Sequence, residues 1–376
     1  MLRKIKTELV YRQFKFYVNY RISEIRGYSV RQFIRHMARP QKEVSISRIA
    51  KEGGVSVATV SRVMNRRVGV SEETRARIDN LLRKYAFTTH YPQSRPPKIA
   101  VLIGDLNNYT SKALKGIFAH ARESSVEITL ITKTESSRPS ILERIRDQQC
   151  AGVIVLLADH YAEDQAGLSA SELPVILLDA QSTLAGLGFI DNDSYTGSCE
   201  AARHLMDHGH QKIGFLRYLR SSTNQMQRLK GYTDTLLAAG IEPKLEWISE
   251  SPLPPSTQTG GIDGFWAMEQ LFRQAPDLTA VLAVDDELAL GALTYLHQSG
   301  RKVPEDVSLV GFDNYPETEI WYPSLTTVDH PIERAGYLAS KSISEIIANP
   351  GTIALPRMTI PTRLIVRKST GPVRTG

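Results

Sequence analysis

Polar, small and basic side chains are concentrated in the stretch ISRIAKEGGVSVATVSRVMNRRVGVS, which runs from Ile46 to Ser71. Arg62 can donate two hydrogen bonds to guanine O6 and N7, and the small side chains of Val57 and Ala58 can contact thymine methyl groups. Hydroxyl and amide side chains around them suit phosphate oxygens. The residues predicted to position phosphates are Ser56, Thr59, Ser61, Asn65, Ser71 and Thr74. These residue types predict a surface that binds double-stranded DNA.

Three short helices are needed to position that surface. Ser45, Ser56 and Ser71 each precede a helical pattern and are predicted to cap it, while Gly53 and Gly54 suit a tight turn after the first helix. The second helix is predicted from Val57 to about Asn65, and the third begins after Ser71. The apolar positions recur at helical spacing: Ile49, Val55, Val60, Val63, Ile78, Leu81 and Leu82. This layout is typical of an all-α helix-turn-helix head.

The charge distribution bears on the role of this head. Residues 1–90 contain 20 Lys and Arg against 7 Asp and Glu, a net charge of +13, whereas the whole chain carries +6 and residues 91–376 therefore carry −7. Spacing alone leaves open a helical hairpin with no DNA role. A basic head on an acidic body favours the DNA-binding interpretation, because cations that replace condensed counterions supply affinity for the phosphate backbone.

The rest of the chain alternates apolar strands with amphipathic helices. The candidate strands are IAVLIGD, VEITLIT, AGVIVLL, PVILLDA, KIGFLR, TAVLAVDD and VSLVGFD. Continuous Val, Ile and Leu strands separated by helices predict parallel sheets covered on both faces. Ligands of such sheets bind at the carboxyl ends of the strands, where this sequence has Asp105, Asp179, Asp285, Asp286 and Asp313.

The run VSVATVSRVMNRRVGVSEETRARI resembles the N-terminal signature of the LacI/GalR family of bacterial transcription regulators, and the similarity extends from about Val44 to the C-terminal TRLIVR segment. The resemblance implies a two-lobed, periplasmic-binding-protein-like α/β core. Its subdomains are expected at about 98–192 and 193–322, with the chain crossing back near 326–329 and again near Met358. It also implies a homodimer, with a tetramer as the alternative, on a pseudo-palindromic operator, and a small-molecule effector, a sugar or sugar derivative.

The same resemblance implies an effector site. It assigns ligand contact to Arg228 in QRLKGY, Asp285 in VDDELALGAL and Asp313 in VGFDN, whereas Asp286 is interpreted as a helix cap. Secondary contacts are implied for Asp179, Asn224 and His330. Many relatives have Asn where this chain has Asp285. A carboxylate cannot donate a hydrogen bond, so the effector is expected to offer an extra donor hydroxyl or an amine.

Four segments are expected along the chain: a basic extension at 1–43, the helix-turn-helix domain at 44–90, a short linker at 91–98, and the effector-binding and dimerisation core at 99–370. Pro92, Pro96 and Pro97 favour an extended linker over a hinge helix that enters the minor groove. For residues 1–36 there are two interpretations, a start placed too early, with Met37 as the natural one, and a true DNA-binding arm.

Other chemistries find little support. Cys150 and Cys199 cannot make a disulfide framework or a closed zinc site and are expected in the core. His208 and His210, on either side of Gly209, fit a helix end better than a metal site. The sequence has no dinucleotide fingerprint, P-loop, zinc-protease motif or nucleophile elbow. No cofactor, metal or catalytic residue is therefore predicted.

Two other classes of protein compete with a regulator. A secreted solute-binding protein would share the two-lobed body but has no use for a basic helical head, and an enzyme acting on a sugar would use two cleft carboxylates as acid and base. The sequence has neither a run of eighteen apolar residues nor a secretory apolar region. We therefore expect a cytoplasmic protein that does not associate with membranes.

Overall fold

The computed structural model describes residues 46–64, 69–84, 96–104, 106–132, 140–156, 158–219, 222–251 and 260–374. The predictions for the extension 1–43, for linker residues 91–95 and for Ser45, Asn65 and Asp105 lie outside the described residues. The chain divides into two units, with the junction between Ser94 and Arg95. No helix in the described ranges has the length and apolar character needed to cross a bilayer.

In the described part of the first unit, three helices pack together: α1 (Ile46–Glu52), α2 (Val57–Met64) and α3 (Glu72–Lys84). Their buried core consists of Ile49, Ala50, Val60, Val63, Ile78 and Leu82. Gly54 has a φ of +65° in the turn between α1 and α2. An added Cβ on Gly53 would lie 2.4 Å from Cδ1 of Ile78, so a larger residue there would require the Ile78 side chain to shift. The predicted helix-turn-helix and its inward-facing positions are confirmed.

In the second unit, strands alternate with helices along the chain. In order they are β1 (Lys98–Ile103), α4 (Asn108–Glu123), β2 (Glu127–Thr132), α5 (Ile141–Asp147), β3 (Cys150–Val155), α6 (Gln165–Ser169), β4 (Val175–Leu178), β5 (Leu187–Asn192), α7 (Ser194–Asp207), β6 (Ile213–Tyr218), α8 (Thr223–Ala238), β7 (Ile248–Ser251), α9 (Gly260–Gln274), β8 (Ala280–Ala283), α10 (Asp286–Gln298), β9 (Ser308–Phe312), β10 (Thr326–Asp329), α11 (Ile332–Ala348), β11 (Arg357–Ile360) and β12 (Arg363–Ile365).

Among the described residues these strands form two six-stranded sheets. The sheet of the first lobe has the order β11-β5-β4-β3-β1-β2 and is parallel throughout. That of the second lobe has the order β12-β10-β9-β8-β6-β7 and is parallel except at β12, which runs antiparallel to β10. All seven candidate strands are present, and most of their apolar residues are buried because helices cover both faces of each sheet. The apolar pattern does not predict the other five strands, which are β5, β7, β10, β11 and β12. The family resemblance implies β10 to β12 through the expected crossings and the TRLIVR segment, but it does not imply β5 or β7.

The chain passes between the lobes after β5, after β10 and between β11 and β12, as expected. Helix α11 returns to the first lobe and packs closely on α4. An added Cβ on Gly116 would lie 1.8 Å from the carbonyl oxygen of Glu333, and one on Gly336 would lie 2.3 Å from that of Ala113. The two backbones can approach this closely only because both positions are glycine.

Candidate functional site

Four of the residues predicted to contact DNA lie at the starts of α2 and α3: Ser56, Thr59, Ser71 and Thr74. The Ser56 hydroxyl accepts a hydrogen bond from Thr59 N at 3.1 Å, and that of Ser71 accepts one from Thr74 N at 3.4 Å. Each serine is also 2.9 Å from the hydroxyl of the threonine three residues later. Both serines therefore cap their helices, as predicted. The first-turn N–H groups of a helix suit phosphate oxygens.

The outer face of α2 carries the residues predicted to contact bases. Val57 is 48% exposed, although it is apolar, and Ala58 and Arg62 are also exposed. Val60 and Val63, on the opposite face, are buried in the head. The side chain of Ser61 and the whole of Asn65 lie outside the described part of the chain.

In the second unit the carboxyl ends of strands from both lobes meet at His330, the residue after β10. Its Nε2 lies 2.8 Å from Oδ1 of Asp179, which follows β4 in the first lobe. Its Nδ1 lies 3.1 Å from Oδ1 of Asp313, which follows β9 in the second lobe. Asp179 and Asp313 have φ angles of 55° and 106°, which are uncommon for residues other than glycine.

The electrostatics of this contact favour an ion pair. Burial alone would lower the pKa of His330, but the charges and hydrogen bonds of the two carboxylates raise it to about 9. Burial would likewise raise the pKa of Asp179, yet His330 and then Arg228 bring it down to about 2. An imidazolium donates from both ring nitrogens, so charged His330 holds carboxylates from both lobes.

Arg228, in the second turn of α8, extends this network. Its Nη2 lies 3.2 Å from Oδ1 of Asp313, and its Nη1 donates to the carbonyl oxygen of Val284 at 2.7 Å. The guanidinium carbon lies 3.8 Å from the ring centroid of Phe312. Asn224, one turn earlier, donates from Nδ2 to the backbone oxygen of Asp179 at 2.8 Å. The guanidinium is therefore fixed by an anion, a carbonyl and an aromatic ring.

Asp285 is the N-cap of α10, with Oδ1 accepting from Leu288 N at 2.8 Å and lying 3.4 Å from the Tyr218 hydroxyl. Burial, followed by the charge of Asp313, raises the pKa of Asp285 to about 7. The interpretation of Asp286 as the cap is wrong. The carboxylate of Asp286 instead accepts from Tyr315 N at 2.9 Å and from the hydroxyl of Thr327 at 2.7 Å. The cap must be the extended residue before the first helical turn, and that residue is Asp285.

All six residues assigned to the effector site therefore lie together between the lobes. We call them the interlobe cluster: Asp179, Asn224, Arg228, Asp285, Asp313 and His330. Two residues on α4 that the sequence motifs do not single out, Tyr109 and Lys112, also contact this site. Lys112 Nζ donates to the backbone oxygen of Asp313 at 2.7 Å, and the Tyr109 ring stacks on His330 with centroids 6.1 Å apart. Their only signal in the sequence is the i, i+3 spacing on a helix that follows the first strand.

Two further polar contacts join the lobes. Asp159 of the first lobe accepts from the backbone N–H of Thr223 at 2.8 Å and from its hydroxyl at 3.1 Å. Asn108 Nδ2 donates to Oε1 of Glu287 at 3.1 Å. These contacts, together with the His330 bridge, favour the arrangement in which the two lobes are close.

The arrangement suits noncovalent binding of a polar molecule. Carboxylates supply acceptors and Arg228 supplies a planar set of donors, which together match hydroxyl groups that both donate and accept. No group of three or more His, Cys, Asp or Glu in the described residues could hold a metal ion. A separate cavity of about 750 Å³ lies on the second lobe near Lys302 and Trp321, and its lining includes no member of the interlobe cluster.

Family models match part of each of the two units. The model of bacterial regulatory proteins, lacI family, matches residues 45–90, and that of the periplasmic binding protein-like domain matches residues 202–370. The HTH-type transcriptional repressor PurR of Mannheimia succiniciproducens is 28% identical over 335 residues, which are 86% of this chain and 98% of that protein.

Two solved structures are also similar. The transcriptional regulator CelR in its cellobiose complex is 27% identical with a TM-score of 0.61, and the match covers 87% of this chain and 99% of that one. A LacI family regulator from Enterococcus faecium with bound ribose is 25% identical with a TM-score of 0.65, over 74% and 100% of the two chains. All three similar proteins are named as regulators of transcription, not as enzymes. The chain is therefore a transcription regulator that has a DNA-binding helix-turn-helix domain of the lacI family of bacterial regulatory proteins and a periplasmic binding protein-like, effector-binding core.

Proposed function

We propose that this regulator is a homodimeric, cytoplasmic repressor of a carbohydrate-related operon. It binds a pseudo-palindromic operator through the helix-turn-helix heads of its two copies, because a two-fold dimer presents its reading helices to two related half-sites. A sugar or sugar derivative bound at the interlobe cluster changes its affinity for the operator.

The observation that carries the effector proposal is the bridge between Asp179, His330 and Asp313, with Arg228 bonded to Asp313. The bridge joins the strand ends of both lobes, so a ligand that contacts these groups touches both lobes at once. Alternating carboxylates and guanidinium donors suit a polyhydroxylated molecule. The cellobiose and ribose bound by two similar regulators support a carbohydrate.

Coupling to DNA follows from the contacts between the lobes. A ligand shifts the arrangement of the lobes only if it binds one arrangement more tightly than another. The contacts of Asp159 with Thr223 and of Asn108 with Glu287 lie on the same boundary as the interlobe cluster. A ligand that strengthens or replaces them alters the relative stability of the closed arrangement.

For the head, we propose base contacts by Val57, Ala58 and Arg62, because these side chains are exposed on the outer face of α2. Phosphate contacts are proposed for Ser56, Thr59, Ser61, Asn65, Ser71 and Thr74. The caps formed by Ser56 and Ser71 support this role, since they hold the starts of α2 and α3 in the geometry that anion binding needs.

The test combines calorimetry with operator binding. Arg228→Ala is expected to abolish both the binding of an active sugar and its effect on the operator complex, while operator binding without ligand stays within about 3-fold of the parent value. Lys302→Ala, at the separate cavity, serves as the control and should behave like the parent. If Arg228→Ala binds the sugar as tightly as the parent, the effector does not bind at the interlobe cluster.

A further inference from the structure

Three acidic residues lie near the N-terminal ends of two adjacent helices of the second lobe: Asp263 on α9, Asp285 at the start of α10, and Glu287 on α10. The first turns of these helices are in close contact, since a Cβ added to Gly264 would lie 2.0 Å from the carbonyl oxygen of Leu288. We call these three residues the carboxylate cluster. Each of their charges raises the pKa of the Tyr218 hydroxyl, so all three lie within electrostatic reach of that one group.

The carboxylate cluster lacks the cations that neutralise the rest of the cleft. Asp179 and Asp313 are paired with His330 and Arg228. Within the described ranges no Lys, Arg or His nitrogen forms a salt bridge with a member of the carboxylate cluster. The charge of Arg228 lowers the pKa of Asp285, but the Arg228 guanidinium is bonded to Asp313 and to the carbonyl oxygen of Val284.

Asp263 is the least satisfied of the three. It is 1% exposed, and neither carboxylate oxygen has a hydrogen-bond partner in the part of the chain that the structure describes. Asp285 accepts from Leu288 N, and Glu287 accepts from Asn108. A buried carboxylate without partners is strongly unfavourable when ionised, which indicates that a donor or a cation is missing.

The protonation behaviour agrees with this geometry. Burial raises the pKa of Asp263, and burial followed by the charge of Asp313 raises that of Glu287. A cation placed among the three groups would lower these raised pKa values.

We propose that the carboxylate cluster is a subsite for a protonated amino group, so that the effector is an amino sugar or a similar polyhydroxylated amine. The ammonium group donates to Asp263, Asp285 and Glu287, while the hydroxyl groups contact Arg228 and Asp313. This inference rests on the proposed binding of an effector at the interlobe cluster. It adds that the effector carries a positively charged amino group.

The test uses matched sugars and the full chain. D-glucosamine, D-galactosamine and D-mannosamine are compared by calorimetry with their parent hexoses and their N-acetyl derivatives. The hexosamine of the preferred ring is expected to bind about 10- to 100-fold more tightly than its neutral counterparts, as for a hydrogen-bonded charge. Asp263→Asn should remove that preference, whereas Asp277→Asn, at an exposed carboxylate paired with Lys212, should keep it.

The outcomes separate this inference from the proposed function. Equal affinity for a hexose and its hexosamine overturns the amine subsite. If that affinity is lost in Arg228→Ala, the interlobe cluster still stands as the effector site. Hexosamine binding that survives both Arg228→Ala and Asp263→Asn overturns both proposals, because the ligand then binds elsewhere.

If no hexosamine binds, the stability of the ligand-free protein decides. Because burial raises the pKa of Asp263, ionisation of its carboxylate destabilises the folded protein. Asp263→Asn should therefore raise the melting temperature by about 2–4 °C near pH 8. An unchanged or lower melting temperature near pH 8 would mean that Asp263 has a structural partner, and the proposal would fail.

Discussion

His330 and Asp179 are joined by a hydrogen bond of 2.8 Å, although one follows the last parallel strand of the second lobe and the other follows a central strand of the first. The bond lies where the chain crosses back between the lobes. Because His330 also bonds Asp313, its charge state affects both lobes directly. The protonation of one buried ring is thereby linked to the relative position of the two sheets.

The first prediction concerns pH. The pKa of His330 is about 9 in the folded protein and about 6.5 when unfolded, so its stabilising contribution is complete below about pH 6.5 and is lost as the pH rises towards 9. The loss amounts to about 3 kcal/mol. His330→Gln should flatten this part of the curve of unfolding free energy against pH, measured by urea denaturation.

His297→Gln, at an exposed histidine near the end of α10, is the control and should leave the curve unchanged. An unaltered alkaline slope in His330→Gln would contradict the ion-pair account.

The lowered pKa of Asp179 predicts a second loss of unfolding free energy on the acid side, as the pH falls from about 4 towards 2.

A second prediction compares adjacent acids. Asp285→Asn should keep α10 intact, because Asn is also a good N-cap. Asp286→Asn should cost about 1–3 kcal/mol, since it removes an oxygen that accepts from Tyr315 N or Thr327 and puts a donor there. Thermal denaturation and effector titration should separate the two variants, with Asp285→Asn impaired mainly in ligand binding. The reverse ranking of stabilities would contradict the observed cap.

A third prediction concerns the packing of α9 on α10. Gly264→Ala places a methyl group 2.0 Å from the carbonyl oxygen of Leu288, a backbone atom that cannot move aside cheaply. We expect a loss of about 1–3 kcal/mol together with weaker effector binding. Gly261→Ala has open space at the same helix end and should be neutral or slightly stabilising. Equal melting temperatures for the two variants would argue against the close approach of the two first turns.

A fourth prediction concerns DNA specificity. Arg62→Ala should cost about 1–3 kcal/mol at one operator position if its guanine contact is bidentate. Affinities are measured on operators varied base by base and on random DNA at the same salt concentration. Lys51→Ala, at an exposed residue near the end of α1, should weaken all sequences alike. A uniform loss for Arg62→Ala would assign it to a phosphate instead.

The elements and the caps of the head were predictable because they depend on local spacing. Ser56 and Ser71 bond groups only three residues away, and the alternation of apolar strands and helices indicates parallel sheets without knowledge of long-range contacts. The edge strand β7, with the sequence ISES, is short and half polar. Its pairing with β6 is set by tertiary packing, so no local pattern reveals it.

The cleft was predictable only in part. The family resemblance implied the six residues of the interlobe cluster, and they lie together. Asp285 is the cap because α10 begins at Asp286. Sequence patterns do not locate the first residue of a helix to within one position, so they do not distinguish Asp285 from Asp286 as the cap. Asp263 comes within electrostatic reach of Glu287 only because α9 packs on α10, so the sequence alone does not predict the carboxylate cluster.

The last prediction is that residues 1–36 are dispensable for specific recognition. Among the described residues, the buried core of the head lies between Ile49 and Leu82, and the extension is basic, with nine Lys and Arg against two Glu. Such a segment adds mainly sequence-blind, salt-dependent affinity. A chain that starts at Met37 should keep its operator preference and show at most a shallower dependence of affinity on salt. Loss of discrimination between operator and random DNA at matched salt would make the extension part of the reading head.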